Sequence, residues 1–216
     1  MNNPIDYKRD LTQQVTQALA EDIGTGDLTA ALIPESSQAE AEVLSREQAI
    51  LCGQDWFNAC FTTVDADVQI EWFVNDGEQM SPGQTVCRIK GAPRSLLTAE
   101  RTALNFLQSL SGTATTAWKY AQAIADLPTR VLDTRKTIPV LRMAQKYAVM
   151  CGGAVNHRIG LYDAILIKEN HIAAAGSIAA AVDAARQQTQ QVMIEVEVES
   201  LEQLEQALAC GVDRIL

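Results

Sequence analysis

Three short clusters carry the residue types that hold a small anion: Asp133-Thr134-Arg135-Lys136-Thr137, His157-Arg158 and Lys168-Glu169-Asn170-His171. Between Arg130 and His171 fall both histidines and seven of the 17 Lys and Arg, against only three acids, Asp133, Asp163 and Glu169. That window is net positive inside a 216-residue chain whose formal net charge is -10. Guanidinium forks match carboxylates and phosphates bidentately, and lysine adds a point charge. A nucleic-acid binder needs a broad basic face along a phosphate backbone, which this acidic chain does not offer. The local reversal of sign therefore points to a small anionic ligand.

A second group is acidic. Ile194-Glu195-Val196-Glu197-Val198-Glu199 places three glutamates on one face of a strand by the two-residue period, where parallel strands are normally apolar. Two carboxylates about 5 Å apart at an effective dielectric near 20 repel by about 3 kcal/mol, so Lys168, Arg135 or a divalent metal must lie close. Glu195 reads as a member of an internal ion-pair network. Glu197, nearer the carboxyl end, is the candidate to serve a magnesium-phosphate substrate. His157 follows the turn Cys151-Gly152-Gly153-Ala154 and precedes Arg158, which suits it to a carboxylate. His171 reads as a supporting residue. Arg101 opens a helix at Glu100-Arg101-Thr102-Ala103-Leu104-Asn105, where a cation opposes the helix dipole and is kept for some other purpose; a salt bridge is the competing reading.

These residues must be positioned by two kinds of element. The first half reads as a mixed α/β unit: a helix over 5–23 closed by Gly24, a turn over 24–27, strands over 41–51, 68–73 and 85–89, and a hairpin over 75–83. That hairpin resembles the one in lipoyl and biotinyl carrier domains, but its tip has no lysine to carry a cofactor. A helical pattern over 96–127, with Leu104, Leu107 and Leu110 on one side, is expected to break near Ser111-Gly112, dividing the chain into domains 1–112 and 113–216. Beyond it strand and helix alternate: strand 131–134 with a helix from Pro139 capped by Thr137, strand 164–168 with a helix from Ser177, strand 193–198 with a helix from Leu201. Ser200-Leu201-Glu202-Gln203 fits a capping box and Gly211 closes that helix. Such repetition implies parallel strands and right-handed crossovers, in an open α/β sheet or barrel. Ligands then meet the carboxyl ends of the strands, where Arg135 and Lys136, Lys168 and Glu169, and Glu197 and Glu199 fall. A merely solvated rim of charges is the bland alternative. Asp213-Arg214-Ile215-Leu216 reads as a fourth strand, and a barrel needs further units of about 30 residues each, so the barrel is expected to be incomplete in this chain.

Five cysteines, odd in number and without a CxxC pair, read as incidental thiols and not as a disulfide or zinc framework. No apolar stretch is long enough to span a bilayer, and Met1-Asn2-Asn3-Pro4-Ile5-Asp6 lacks the pattern of a signal peptide, which places the chain in the cytoplasm.

Six segments, taken in order, resemble the quinolinate phosphoribosyltransferase family, the decarboxylating nicotinate-nucleotide pyrophosphorylases. They are Glu21-Asp22-Ile23-Gly24-Thr25-Gly26-Asp27-Leu28-Thr29, Glu100-Arg101-Thr102-Ala103-Leu104-Asn105, Asp133-Thr134-Arg135-Lys136-Thr137, Asn156-His157-Arg158, Ile167-Lys168-Glu169-Asn170-His171 and Glu195-Val196-Glu197. The resemblance implies an N-terminal mixed α/β domain followed by an open α/β barrel with parallel strands. It also implies transfer of a phosphoribosyl group from phosphoribosyl pyrophosphate to quinolinate with decarboxylation, giving nicotinate mononucleotide, pyrophosphate and carbon dioxide for NAD synthesis. By similarity Arg135, His157, Arg158 and Lys168 hold the quinolinate carboxylates, and Arg101 reaches in from the partner subunit of a homodimer with shared active sites. Thr134 and Lys136 join the binding surface, Lys136 facing the phosphoribosyl pyrophosphate, while Glu197 approaches the ribose and its magnesium. Lys136 and Glu197 are thereby the expected catalytic residues. The family's next aspartate and its glycine-rich phosphate loops have no counterpart before Leu216, so the 216-residue polypeptide alone is expected to be weak or inactive. Two alternatives stand beside this reading: a paralogous phosphoribosyltransferase for nicotinate or another small acid, and a non-catalytic metabolite-binding subunit. Arg101, Arg135, Arg158 and Lys168 exceed the cations that one carboxylate needs, which favours a dicarboxylate.

Overall fold

The computed structural model describes residues 6–34, 37–189 and 192–216. Residues 1–5, read above for a signal sequence and for the start of the first helix, lie outside the described residues. The chain forms two compact units, Met1–His157 and Arg158–Leu216.

The first unit contains α1 (Leu11–Ile23), β1 (Ala39–Leu44), β2 (Ala49–Ile50), α2 (Gln54–Val64), β3 (Gln69–Trp72), β4 (Gln79–Met80), β5 (Thr85–Gly91), α3 (Pro93–Ala123) and α4 (Arg142–Cys151). β5 is the centre of an antiparallel sheet of order β1-β5-β3, and β2 pairs with β4. The core is aromatic: Trp56, Phe57 and Phe61 of α2 are buried with Val86 and Ile89 of β5 and with Leu96, Ala103, Leu107 and Leu110 of α3. The apolar positions of α3 continue past its middle, with Ala114 and Ala117 also buried.

Several expectations need correction here. The stretch 41–51 is two strands, because the chain turns after Leu44 and Ser45 Oγ bonds the Glu47 carbonyl at 2.6 Å. The expected hairpin over 75–83 is two successive turns, at Asn75–Glu78 and Ser81–Gln84, with β4 between them bound to β2 while β3 binds β5. The helix α2 was not anticipated. Helix α3 runs unbroken through Ser111 and Gly112, since Ser111 is buried against the loop before α2: its hydroxyl accepts from Cys52 N at 3.0 Å and donates to Cys52 O at 3.2 Å. Packing outweighs the helix-breaking propensity of the pair. Helix α4 starts at Arg142, not at Pro139, because Val140 takes a left-handed φ of 69°, a costly conformation for a β-branched residue. Val140 O is held there by Gln14 Nε2 at 2.9 Å, and Gln14 Oε1 in turn accepts from Trp56 Nε1 at 2.7 Å. Thr137 does not cap the helix; its hydroxyl accepts from Arg142 Nε at 3.1 Å. The expected strand 131–134 is reduced to a single parallel bridge between Leu132 and Val155.

Helices α3 and α4 approach closely at Gly152. A Cβ there would meet Ala114 O at 2.2 Å and Ala117 Cβ at 2.7 Å, although the glycine's φ of -79° is an ordinary one. The obstacle includes backbone and cannot swing away. Gly152→Ala is expected to destabilise by about 1–3 kcal/mol through overpacking, read as a lowered thermal midpoint; an unchanged midpoint would show that the helices separate without cost.

The second unit follows the strand-helix repetition. It comprises β6 (Ala164–Ile167), α5 (Glu169–Ala175), α6 (Ile178–Gln188), β7 (Met193–Val196), α7 (Leu201–Ala209) and β8 (Arg214–Ile215). The sheet is parallel with order β6-β7-β8, and Ile167, Ile178, Val182, Ile194, Val196 and Ala207 form its core. Ser177 and Ser200 cap α6 and α7 by accepting from Ala180 N at 3.1 Å and Gln203 N at 3.2 Å. The reciprocal half of the expected box is displaced by one residue, since Gln203 Oε1 accepts from Glu199 N at 2.7 Å. The short helix α5, which begins directly after β6, was not anticipated. The chain is thus α/β, with a mixed N-terminal part and a parallel C-terminal sheet.

Candidate functional site

In the first unit the site is organised by a carboxylate that sequence reasoning passed over. Asp133 Oδ1 accepts from Lys146 Nζ at 2.5 Å and from His157 N at 2.7 Å, and Oδ2 accepts from Asn156 Nδ2 at 2.8 Å. Lys146 donates a second bond to His157 O at 3.0 Å, and Asn156 Nδ2 a second to Lys146 O at 2.9 Å. The side chain of Lys146 is 0 % exposed and that of Asp133 10 %, so this ion pair is shielded from solvent. Every arm of it ends on the 156–157 segment. Asp133 and Lys146 are therefore positioning residues: they fix the peptide that carries His157. The available sequence signal was a lysine among the apolar positions Met143, Ala144 and Ala148 of α4.

Thr134, Arg135 and Lys136 follow directly. Thr134 Oγ1 accepts from Lys136 N at 3.0 Å, and Thr137 N bonds Arg135 O at 3.0 Å, so the loop is folded on itself. Arg142 adds a longer bond to Arg135 O at 3.5 Å. Arg135 Nε is buried and has no hydrogen-bond partner among the described residues. An orphaned guanidinium donor is costly unless an acceptor meets it, which is the property expected of a carboxylate ligand. Lys136 is exposed.

Arg101 lies in the third turn of α3, because the helix begins at Pro93 and not at Glu100. The helix-dipole reading of this residue is thereby withdrawn. Arg101 is exposed and lines a groove of about 970 Å³ together with Glu100, Leu104, Gln108, Lys119 and the segment 41–49.

In the second unit, Lys168 directly follows β6 and is the N-cap of α5. Its Nζ meets Glu197 Oε2 at 2.5 Å, and this hydrogen bond, ahead of the surrounding charges, holds the ammonium above the usual lysine range. Glu197 N donates to Ile167 O at 2.9 Å, which continues the sheet ladder one residue past β7 and aligns the two side chains. His171 supports Lys168 from within α5: its Nδ1 accepts from Lys168 N at 2.9 Å. Arg158 Nη1 donates to Ala164 O at 3.2 Å. Asp163 closes the loop after Arg158 by accepting from Ile159 N and Gly160 N at 2.7 and 2.9 Å. Glu195 is 2 % exposed and faces Arg214 across the β7–β8 pair at 3.7 Å, the internal ion pair expected of it. The repulsion between Glu195 and Glu197 is thus relieved by Arg214 and Lys168, one cation for each.

Each unit offers cationic donors for carboxylates, and the second also holds Glu197, a carboxylate that is one-third exposed. Comparison with known proteins decides among the chemistries such a set allows. The family pattern described as quinolinate phosphoribosyl transferase, N-terminal domain, matches residues 10–111, and that of the C-terminal domain matches residues 113–216.

The chain belongs to the quinolinate phosphoribosyltransferase family.

A probable nicotinate-nucleotide pyrophosphorylase of Bacillus subtilis is 44 % identical over 197 residues, covering 91 % of this chain and 68 % of that protein. A quinolinate phosphoribosyltransferase of Nicotiana tabacum, described as mitochondrial, is 38 % identical over 92 % of this chain, which spans 58 % of the tobacco protein. The solved structure of the nicotinate-nucleotide pyrophosphorylase from Francisella tularensis superposes with a TM-score of 0.92 at 47 % identity, covering 99 % of this chain and 75 % of that one. Among the described residues no helix is long and apolar enough to cross a membrane.

Proposed function

We infer that this chain carries out the reaction of its family: phosphoribosyl transfer from phosphoribosyl pyrophosphate to the ring nitrogen of quinolinate, followed by loss of the ring 2-carboxylate, as a step of NAD biosynthesis. It is a decarboxylating phosphoribosyltransferase, in the glycosyltransferase class. The observation that carries this reading is the match of both family patterns along the chain, with the cation-rich motifs intact. Arg135, His157, Arg158 and Lys168 are proposed to bind the quinolinate carboxylates, with Thr134 beside them and Lys136 toward the phosphoribosyl pyrophosphate. The exposed Arg101 is proposed to serve the site of the partner subunit in a homodimer. The cytoplasm is the proposed compartment.

The chemistry accounts for these residue types. Cleavage of the bond to pyrophosphate builds positive charge on the ribose carbon, and the Glu197 carboxylate favours that charge. Lysine and arginine side chains stabilise the departing pyrophosphate. Magnesium, brought with phosphoribosyl pyrophosphate, would add to that stabilisation; Lys168 engages Oε2 of Glu197, and one carboxylate with substrate phosphates is a usual magnesium ligand set. After transfer, decarboxylation leaves an electron pair on ring carbon 2, which the adjacent quaternised nitrogen stabilises until that carbon takes up a proton, so no nucleophilic serine or cysteine is required.

The deciding assay is consumption of quinolinate with magnesium and phosphoribosyl pyrophosphate, beside a nicotinate control. Turnover of quinolinate alone supports the assignment. Turnover of nicotinate alone overturns the substrate, and binding of quinolinate without turnover leaves a fragment or a metabolite-binding subunit. Glu197→Gln separates catalysis from folding. Lys168 and Glu197 are 42 % and 32 % exposed, so the pair contributes at most about 1 kcal/mol to stability. The variant is expected to lose kcat by at least about tenfold with little change in thermal midpoint, and an unchanged kcat would remove Glu197 from the chemistry.

A further inference from the structure

Cys52, Asp76 and Cys151 are far apart in sequence and meet inside the first unit. One ligand atom of each, the two sulfurs and a carboxylate oxygen, all lie within 4.8 Å of one another. Cys52 sits in the loop before α2, Asp76 in the turn between β3 and β4, and Cys151 at the last position of α4. The thiol of Cys52 is hydrogen-bonded to the sulfur of Cys151. Each arm is fixed by its own second layer of contacts. Ser111 locks the backbone of Cys52 from α3, as described above. Asp76 Oδ1 accepts from Gly53 N at 2.9 Å and Gln54 N at 3.2 Å, and Oδ2 accepts from Tyr147 Oη at 2.9 Å. Tyr147 lies one helical turn before Cys151, so the same face of α4 orients both the carboxylate and the sulfur.

The cluster holds no cation of its own: the nearby Lys8 feels the charge of Asp76 but is ion-paired with Asp55. The hydrogen-bond donors to the Asp76 side chain are two backbone amides and a phenol, and no lysine or arginine forms an ion pair with it among the described residues. Burial, the largest cause, pushes the Asp76 carboxyl above its ordinary range, and burial likewise raises the phenol of Tyr147. The hydrogen bond between the sulfurs raises the Cys52 thiol and lowers that of Cys151. A carboxylate withdrawn from water and facing two thiols gains most from a sulfur-seeking positive charge.

We propose that Cys52, Asp76 and Cys151 form a three-ligand site for a thiophilic divalent cation of the zinc class. Zinc takes thiolates at about 2.3 Å in tetrahedral geometry, which sets neighbouring sulfurs about 3.8 Å apart, compatible with ligand atoms that all lie within 4.8 Å of one another. Binding releases one proton from each thiol to solvent, involves no electron transfer, and leaves the fourth position to water. The preset orientation of Asp76 by two amides and a phenol is the support that metal ligands require. The site clamps the loop before α2, the turn after β3 and the end of α4 together. With the ligands at positions 52, 76 and 151, no short spacing announces it.

The test is titration of the 216-residue chain with cobalt(II) under a phosphine reductant. One cobalt per chain is expected, with thiolate-to-cobalt charge-transfer absorption that zinc displaces, and saturating zinc is expected to raise the thermal midpoint by about 5 °C. Cys151→Ser, at a partly exposed helix end, is expected to abolish the absorption, and Asp76→Asn to weaken binding at least about tenfold, each variant first being checked for native circular dichroism. Absence of the charge-transfer band in the wild-type chain overturns the proposal, as does a band that survives unchanged in Cys151→Ser. Rapid loss of two thiols on mild oxidation, with no metal uptake by the reduced chain, assigns the pair to a disulfide and overturns it equally.

Discussion

Arg135→Ala is expected to weaken quinolinate binding by about 30- to 800-fold, the equivalent of about 2–4 kcal/mol, because a buried substrate carboxylate loses a charge-assisted partner. The free protein already bears the cost of that donor, since Arg135 Nε is buried without a hydrogen-bond partner among the described residues. Two outcomes should therefore separate. Affinity, measured by calorimetric titration with quinolinate, falls steeply, while the thermal midpoint of the unliganded chain stays level or rises. Arg135→Lys is expected to fall between, as it keeps the charge and loses the planar fork. Unchanged affinity in Arg135→Ala would remove this residue from the site.

Asp133→Ala is expected to destabilise the chain by about 3–5 kcal/mol, measured by urea unfolding. The substitution strands the ammonium of Lys146, whose side chain is 0 % exposed, and also removes the acceptor of His157 N and Asn156 Nδ2. The double variant Asp133→Leu with Lys146→Met provides the control. Replacing a shielded ion pair by apolar groups is often close to neutral, so the pair of substitutions should recover much of the loss. Recovered stability without recovered quinolinate affinity would show that the pair acts by holding the 156–157 peptide in place. A loss below about 1 kcal/mol in Asp133→Ala would contradict the shielding seen here.

The parallel strand-helix repetition of the second unit was legible because each element carries its own punctuation. Ser177 and Ser200 open helices, Gly211 follows one, β6 is a run of apolar residues and β7 is one interrupted only by Glu195. The pairing of Glu195 as an internal charge and the separate standing of Glu197 were likewise legible, because strand position sets depth in a parallel sheet. The first unit was less transparent. Ser111-Gly112 reads locally as a break, yet α3 passes through it because the buried hydroxyl of Ser111 finds partners on Cys52. The helix start at Arg142 depends on Val140, whose left-handed backbone is held by a bond from Gln14, 126 positions away.

By itself the sequence determined the residue types of the site, their grouping into cationic motifs, the α/β class and the family, since composition, short-range period and motif order are properties of neighbouring positions. Tertiary structure alone decided which groups are shielded and what they meet. It buried Lys146 on Asp133 and turned both toward the peptide of His157, set Glu197 on Lys168, and brought Cys52 and Cys151 to one carboxylate. The physical reason is that desolvation and hydrogen bonding depend on distances between residues remote in the chain, and no local pattern encodes those distances.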